Sequence, residues 1–212
     1  MRRLVDLALL AGSALALASM VGCGARRQAP LPRTQETFDT ANASVNAVLQ
    51  IPDATIKSVD ICHSPAIRCP DSEGYRGQLT VLVANRLHDM LGRRREFSKV
   101  VRTDVPHPME ADYIVDATYD FFHRYRVGPL PGAGVSMSWI REFLGVRVTA
   151  TADGTELLKR GYATERRDDT SGYTPAHVTY LQDVYLSEAV GDIVAAIENH
   201  VALNADRHSS LP

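Results

Sequence analysis

Apolar residues recur with two different periods along this chain, and the switches between them lay out its elements. In residues 111–121, Tyr113, Val115, Ala117, Tyr119 and Phe121 alternate with Asp116, Thr118 and Asp120. That is the period of a strand buried on one face and wet on the other. Val146, Val148 and Ala150 alternate with Arg147 and Thr149 in a second such strand. Asp153-Gly154 then supplies a hairpin turn whose residues both tolerate positive φ, and residues 157–166 return as the partner strand. Residues 54–62, with Ile56, Val59 and Ile61, form an earlier strand whose alternation is broken at Lys57-Ser58, and residues 97–102 form a short one. Between these two the helical period takes over: Leu79, Val83, Leu87, Met90 and Leu91 share one face, with Asp71 or Ser72 as the N-cap and Gly92 as the C-cap. Arg93, Arg94 and Arg95 follow where positive charge suits the helix dipole. A second helix over about 175–201 sets Leu186, Val190, Ile193, Ile197 and Val201 on one side and Asp183, Glu188, Asp192 and Glu198 on the other. The order predicts an α+β two-layer sandwich, with two amphipathic helices on one face of a mainly antiparallel sheet of four to five strands.

The start of the chain follows another pattern. Arg2 and Arg3 precede an apolar run from Leu7 to Val21, which ends in Met20-Val21-Gly22-Cys23. A charged start, a short apolar core and a small residue at the cut make a signal peptide. Apolar, apolar, small, Cys resembles the bacterial lipobox, which predicts cleavage between Gly22 and Cys23 and lipidation of Cys23. The run is too short to span a bilayer, which takes roughly 20 apolar residues. Residues 1–22 are therefore expected to leave, and 23–45, polar and proline-containing, to serve as a lipidated tether with an r.m.s. reach of roughly 25 Å. Residues 46–204 then form a single globular domain and 205–212 a disordered tail. Gly24, where inner-membrane retention favours Asp, points to the outer membrane, with the domain facing the periplasm.

Charge narrows the partners. The signal takes two arginines and one aspartate with it, so the remaining 190 residues carry a net charge of −3. That balance gives no electrostatic case for nucleic acid. Once Cys23 is lipidated, Cys62 and Cys69 remain, and in an oxidising compartment an even pair at this spacing reads as a disulfide. Free thiols, or a metal site using Cys62, His63 and Cys69, are the alternatives.

Catalytic patterns are absent from the string: it holds no His-Glu-x-x-His, no Gly-x-Ser-x-Gly and no Walker loop, and Gly128–Gly134 lacks the lysine of a phosphate cradle. His63, His88, His107, His123 and His177 are scattered. No catalytic residue, metal or cofactor is expected. Met137 and Trp139, following the glycine- and proline-rich loop, are either core residues or a partner- or lipid-contact patch.

The helix Leu79-x7-Leu87-x3-Leu91 with Phe97-Ser-Lys-Val100, the strand Ala111-Asp-Tyr-Ile-Val115, the segment Gly154–Arg160 and the closing helix together resemble the ABC-type transport auxiliary lipoproteins that accompany MCE lipid-transport systems. The same element order also resembles lipopolysaccharide-assembly lipoproteins, and its opening the curli-secretion or Tol-type lipoproteins. The resemblance implies a non-catalytic accessory protein, held to the membrane by its lipid and docked to protein components of an envelope transport complex. An assembly or secretion role, or a lipid carrier with a hollow core, are the alternatives.

Overall fold

A computed structural model describes residues 37–62, 72–127, 135–168 and 183–209. Strands β1 (Phe38–Asp39), β2 (Val45–Ile51) and β3 (Thr55–Cys62) lead into helix α1 (Ser72–Arg94). Strand β4 (Phe97–Arg102) and a 3-10 turn (Pro108–Glu110) follow. The long strands β5 (Tyr113–Val127), β6 (Val135–Ala150) and β7 (Glu156–Asp168) precede helix α2 (Asp183–Ser209). None of the described helices is long and apolar enough to cross a membrane.

The fold is α+β, but the sheet formed by the described residues has seven strands and is mixed, in the order β1-β4-β2-β5-β6-β7 with β3 also on β5. This corrects the expectation of four to five mainly antiparallel strands. Two extra strands come from residues 38–51, where Val45, Ala47, Leu49 and Ile51 alternate and are buried. The sheet thus begins at Phe38, inside the stretch expected to be tether, and α2 continues to Ser209, past the expected domain end at Asn204. Parallel pairing enters with α1, a crossover after which β4 returns parallel to β2, as a connection of helix length allows and a tight hairpin does not. β2 and β3 lie parallel to β5, whereas β6 pairs antiparallel along all of β5 and β7 antiparallel along β6.

Pro52, which has no N–H to give a ladder, stands where β2 and β3 separate. The broken alternation at Lys57-Ser58 is a bulge: pairing steps from Ile56 opposite Tyr119 to Ser58 opposite Asp120 and skips Lys57.

Both helices cover one face. Tyr113, Val115, Ala117, Tyr119 and Phe121 of β5 point into a core with Leu79, Val83, Leu87 and Leu91 of α1 and Leu186, Val190, Ile193 and Ile197 of α2. Val201 does not join them and is 38% exposed. The hairpin after β6 has its positive φ at Gly154 (73°) alone, and Asp153 Oδ1 instead accepts from the Thr155 amide at 2.9 Å.

Gly92 is not the helix cap. The helix runs on to Arg94, and Arg95 takes the left-handed conformation at φ 58°. Gly92 is required by packing, since a Cβ there would stand 2.0 Å from Cδ2 of Phe38. The same ring meets His88 at a centroid distance of 4.9 Å. His88 is fully buried, with Nδ1 3.5 Å from Asp89 Oδ1. Burial holds its pKa below 6.5, against the opposing pull of Asp89. Below about pH 6.5 the unfolded chain therefore takes up a proton that the folded chain resists, and stability falls as the pH drops. Urea midpoints at pH 7.5 and 5.5 should show a larger loss for the wild type than for His88→Leu; equal losses would place the acid sensitivity elsewhere.

Candidate interaction surface

Alternation that turns every second residue of β5 and β6 toward the helices turns the others onto an uncovered face. Register lays these out in rows. Thr55, Thr118, Gly145 and Gly161 stand side by side across β3, β5, β6 and β7. Asp116, Arg147 and Lys159 form the row on one side of them, and Asp120, Phe143 and Ala163 the row on the other. The Arg147 guanidinium pairs with Asp116 Oδ2 at 2.7 Å, which holds the arginine pKa above its usual value. Ser58 donates to Asp120 Oδ1 at 2.8 Å, tying β3 to β5 across the same surface.

Aromatic residues continue this face. Phe122 and Trp139 meet edge to face with centroids 5.0 Å apart, and Phe143 is 39% exposed. Two shallow clefts divide the surface. One is centred on the glycine row, and the other is lined by Ser58, Asp120, Phe122, Trp139, Arg141 and Phe143. Such a surface, apolar in patches and rimmed by charge, is suited to contact with a partner.

The helix-covered side of the same strand carries a buried carboxylate. Glu142 is 2% exposed, and its two oxygens accept from the hydroxyls of Tyr119 and Tyr185, each at 2.9 Å. Burial first, and the neighbouring carboxylate second, push both phenols well above the ordinary tyrosine range. Both therefore stay protonated donors and clamp α2 to the middle of the sheet. A second tie lies nearer the edge, where Tyr162 donates to Asp192 at 2.6 Å and Arg160 pairs with Asp192 and Glu188, each at 2.7 Å. The sequence reading missed Glu142; the signal that marks it is a charged residue in the same alternation as Ile140, Leu144 and Val146.

Of Met137 and Trp139, the structure places the side chain of Trp139, half-buried on the open face against Phe122. Packing and exposure are thus combined in it. Met137 lies in β6 opposite Arg126. Cys62 ends β3 opposite Arg124, while Cys69 lies outside the described residues, as do Gly22, Cys23, His63 and His177. His107 sits in the turn before the 3-10 segment, where its backbone amide donates to Gln50 Oε1 at 2.8 Å.

No protein-family model matches the chain. No curated protein matches it either. Several solved structures align with the chain at low identity. One is a Xanthomonas campestris protein of the DUF330 family, with TM-score 0.48 and 16% identity over 82% of this chain and 97% of that one. A neuraminyllactose-binding hemagglutinin homolog from Helicobacter pylori aligns with TM-score 0.37 and 13% identity over 83% and 91% of the two chains. A lipoprotein from Neisseria meningitidis aligns with TM-score 0.33 and 15% identity over 74% and 98%.

Proposed function

We propose that this protein is a lipid-anchored accessory lipoprotein of a bacterial envelope that acts by binding, without chemistry of its own, and that it serves an ABC-type, MCE-associated lipid-transport system. The observation that carries the anchored reading is Met20-Val21-Gly22-Cys23 at the end of a charged start and a short apolar run. Each acyl methylene buried in lipid adds about 0.8 kcal/mol, so two or three chains on Cys23 hold a domain firmly. Gly24 supports the outer membrane, facing the periplasm. The transport system is supported by the resemblance carried by Leu79, Leu87, Leu91, the strand from Ala111 and the closing helix.

Two experiments test the two parts. Cells labelled with a palmitate analogue should incorporate it into the wild type and not into Cys23→Ala, which should leave the membrane fraction while keeping its far-UV circular dichroism. A Cys23→Ala protein that still sediments with membranes removes the lipid anchor from the reading. Affinity purification of the lipidated chain from gently solubilised envelopes should bring down MCE-type or permease subunits. Recovery of a β-barrel or secretion component instead replaces transport with an assembly role.

A further inference from the structure

Glycine inside a strand loses conformational entropy and packs nothing, and it often marks a place where something else comes close to the backbone. Here two glycines stand opposite each other in register, Gly145 in an inner strand and Gly161 in its neighbour. A Cβ on Gly161 would lie 2.5 Å from Cζ of Phe143, and one on Gly145 would lie 2.5 Å from Thr118 Oγ1. Gly161 therefore lets the Phe143 ring lie over the backbone, where it remains 39% exposed, and Gly145 leaves room for the Thr118 hydroxyl beside it. Around it opens a cleft of about 440 Å³, within the range of small-molecule sites.

The charges lining this cleft do not balance. Asp116 is held by Arg147, and Asp53 by Arg102. Lys57, which the bulge leaves out of register, and Lys159 have no ionic partner among the described residues. The hydroxyls of Thr55 and Thr118 also have no hydrogen-bond partner among the described residues. The cleft thus offers a low aromatic ring, two free hydroxyls and two uncompensated ammonium groups, with its own carboxylates already engaged.

We infer that this cleft binds an acidic sugar. The C–H face of a pyranose ring stacks on Phe143, its hydroxyls meet Thr55 and Thr118, and its carboxylate or phosphate pairs with Lys57 and Lys159 through charge-assisted hydrogen bonds. An acidic peptide would satisfy the lysines but offers the aromatic ring no comparable flat C–H face. This site stands independently of the lipid anchor and of the complex the protein serves.

Trp139, the chain's single tryptophan, lines the adjoining cleft with Phe143, so its fluorescence reports on this surface. The full chain in detergent micelles would be titrated with D-glucuronate and with glucosamine 6-phosphate, and then with glucose, acetate and inorganic phosphate. A saturable response to the two acidic sugars is expected, at least tenfold tighter than to any of the other three. Phe143→Ala should weaken it at least tenfold, and Lys159→Gln should remove the preference over glucose. If Phe143→Ala does not fold, Gly161→Ala, whose methyl forces the ring off the backbone, should give the same loss. The assignment is overturned by no saturable response to either acidic sugar, by an equal response to acetate or phosphate, by oligoglutamate competing as well as the sugars, or by undiminished binding in a folded Phe143→Ala.

Discussion

Replacing Arg102 with alanine is expected to destabilise the domain by about 3 kcal/mol, near the lower end of what breaking a buried ion pair costs. The Arg102 side chain is 1% exposed and lies where three elements meet. Its guanidinium pairs with Asp53, Nε donates to Asn85 Oδ1 of α1 at 3.1 Å, and Nη1 donates to Ile51 O at the end of β2 at 3.1 Å and to Thr103 O. One side chain thus satisfies the backbone where β2 breaks, holds the helix to it and neutralises the carboxylate beside the break. Alanine removes the cation from Asp53 and the Arg102 donors from three further acceptors, Asn85 Oδ1, Ile51 O and Thr103 O. The lower end of the range applies because the Asp53 side chain is 18% exposed, so water recovers part of the loss. Urea denaturation should show a clear fall in midpoint, against a total stability of about 5–15 kcal/mol for a domain. Arg102→Met together with Asp53→Ala should cost less than Arg102→Ala alone, because it removes both charges. A loss below about 1 kcal/mol for Arg102→Ala would mean that the pair does not hold this junction.

Glu142→Ala is expected to cost a similar amount, about 3 kcal/mol, for a different reason. The hydroxyls of Tyr119 and Tyr185 would lose their acceptor in a dry core, at about 1–3 kcal/mol for each group left unsatisfied, and the truncation leaves a cavity as well. For a domain of this size about 3 kcal/mol lowers Tm by roughly 6–12 °C. Glu142→Gln should be milder, since the amide oxygen still accepts one phenol and the amide nitrogen can donate to the other. Joining Tyr119→Phe and Tyr185→Phe to Glu142→Leu should recover much of the loss, because no polar group is then stranded. Thermal unfolding of the four proteins checks the order; a Glu142→Gln variant as unstable as Glu142→Ala would show that the carboxylate's charge, and not its accepting geometry, is what the phenols require.

Much of the domain follows from local rules that a sequence obeys wherever it is placed. The period of two in β5 and β6 sorts Tyr119 and Phe121 from Asp120, and the period of 3.6 in the two helices gathers Leu87 with Leu91 and Leu186 with Ile193. Those residues are buried as that periodicity predicts. Even the interruption at Lys57-Ser58 had a structural meaning, since an extra residue in a strand must break alternation. Val45–Ile51 carried the same signal but was not read as a strand, and the polar, proline-containing stretch before it set the expected tether end at residue 45, past the first strand at Phe38. The boundary was therefore misplaced although the alternation was present.

What local pattern leaves open is direction and neighbourhood. A strand's alternation is the same whether its partner runs parallel or antiparallel, so the parallel pairing of β4 with β2 was decided by the crossover through α1. Gly92, read as a cap because glycine favours helix ends, owes its place to the Phe38 ring, 54 residues earlier in the chain. Glu142 violates the inward apolar pattern and is tolerated because Tyr119 and Tyr185, from β5 and α2, converge on it. The open face is the same case on a larger scale. Each strand by itself predicts a polar side, but Phe143 lies over the backbone only because register sets Gly161 where its ring needs room. The two helices and the buried side of each long strand could be read from the chain alone, because these depend on residues a few positions apart. The order and sense of the strands, the Arg102 and Glu142 junctions and the cleft at the glycine pair were decided by tertiary structure alone, because each is made of groups that meet only after distant segments have been brought together.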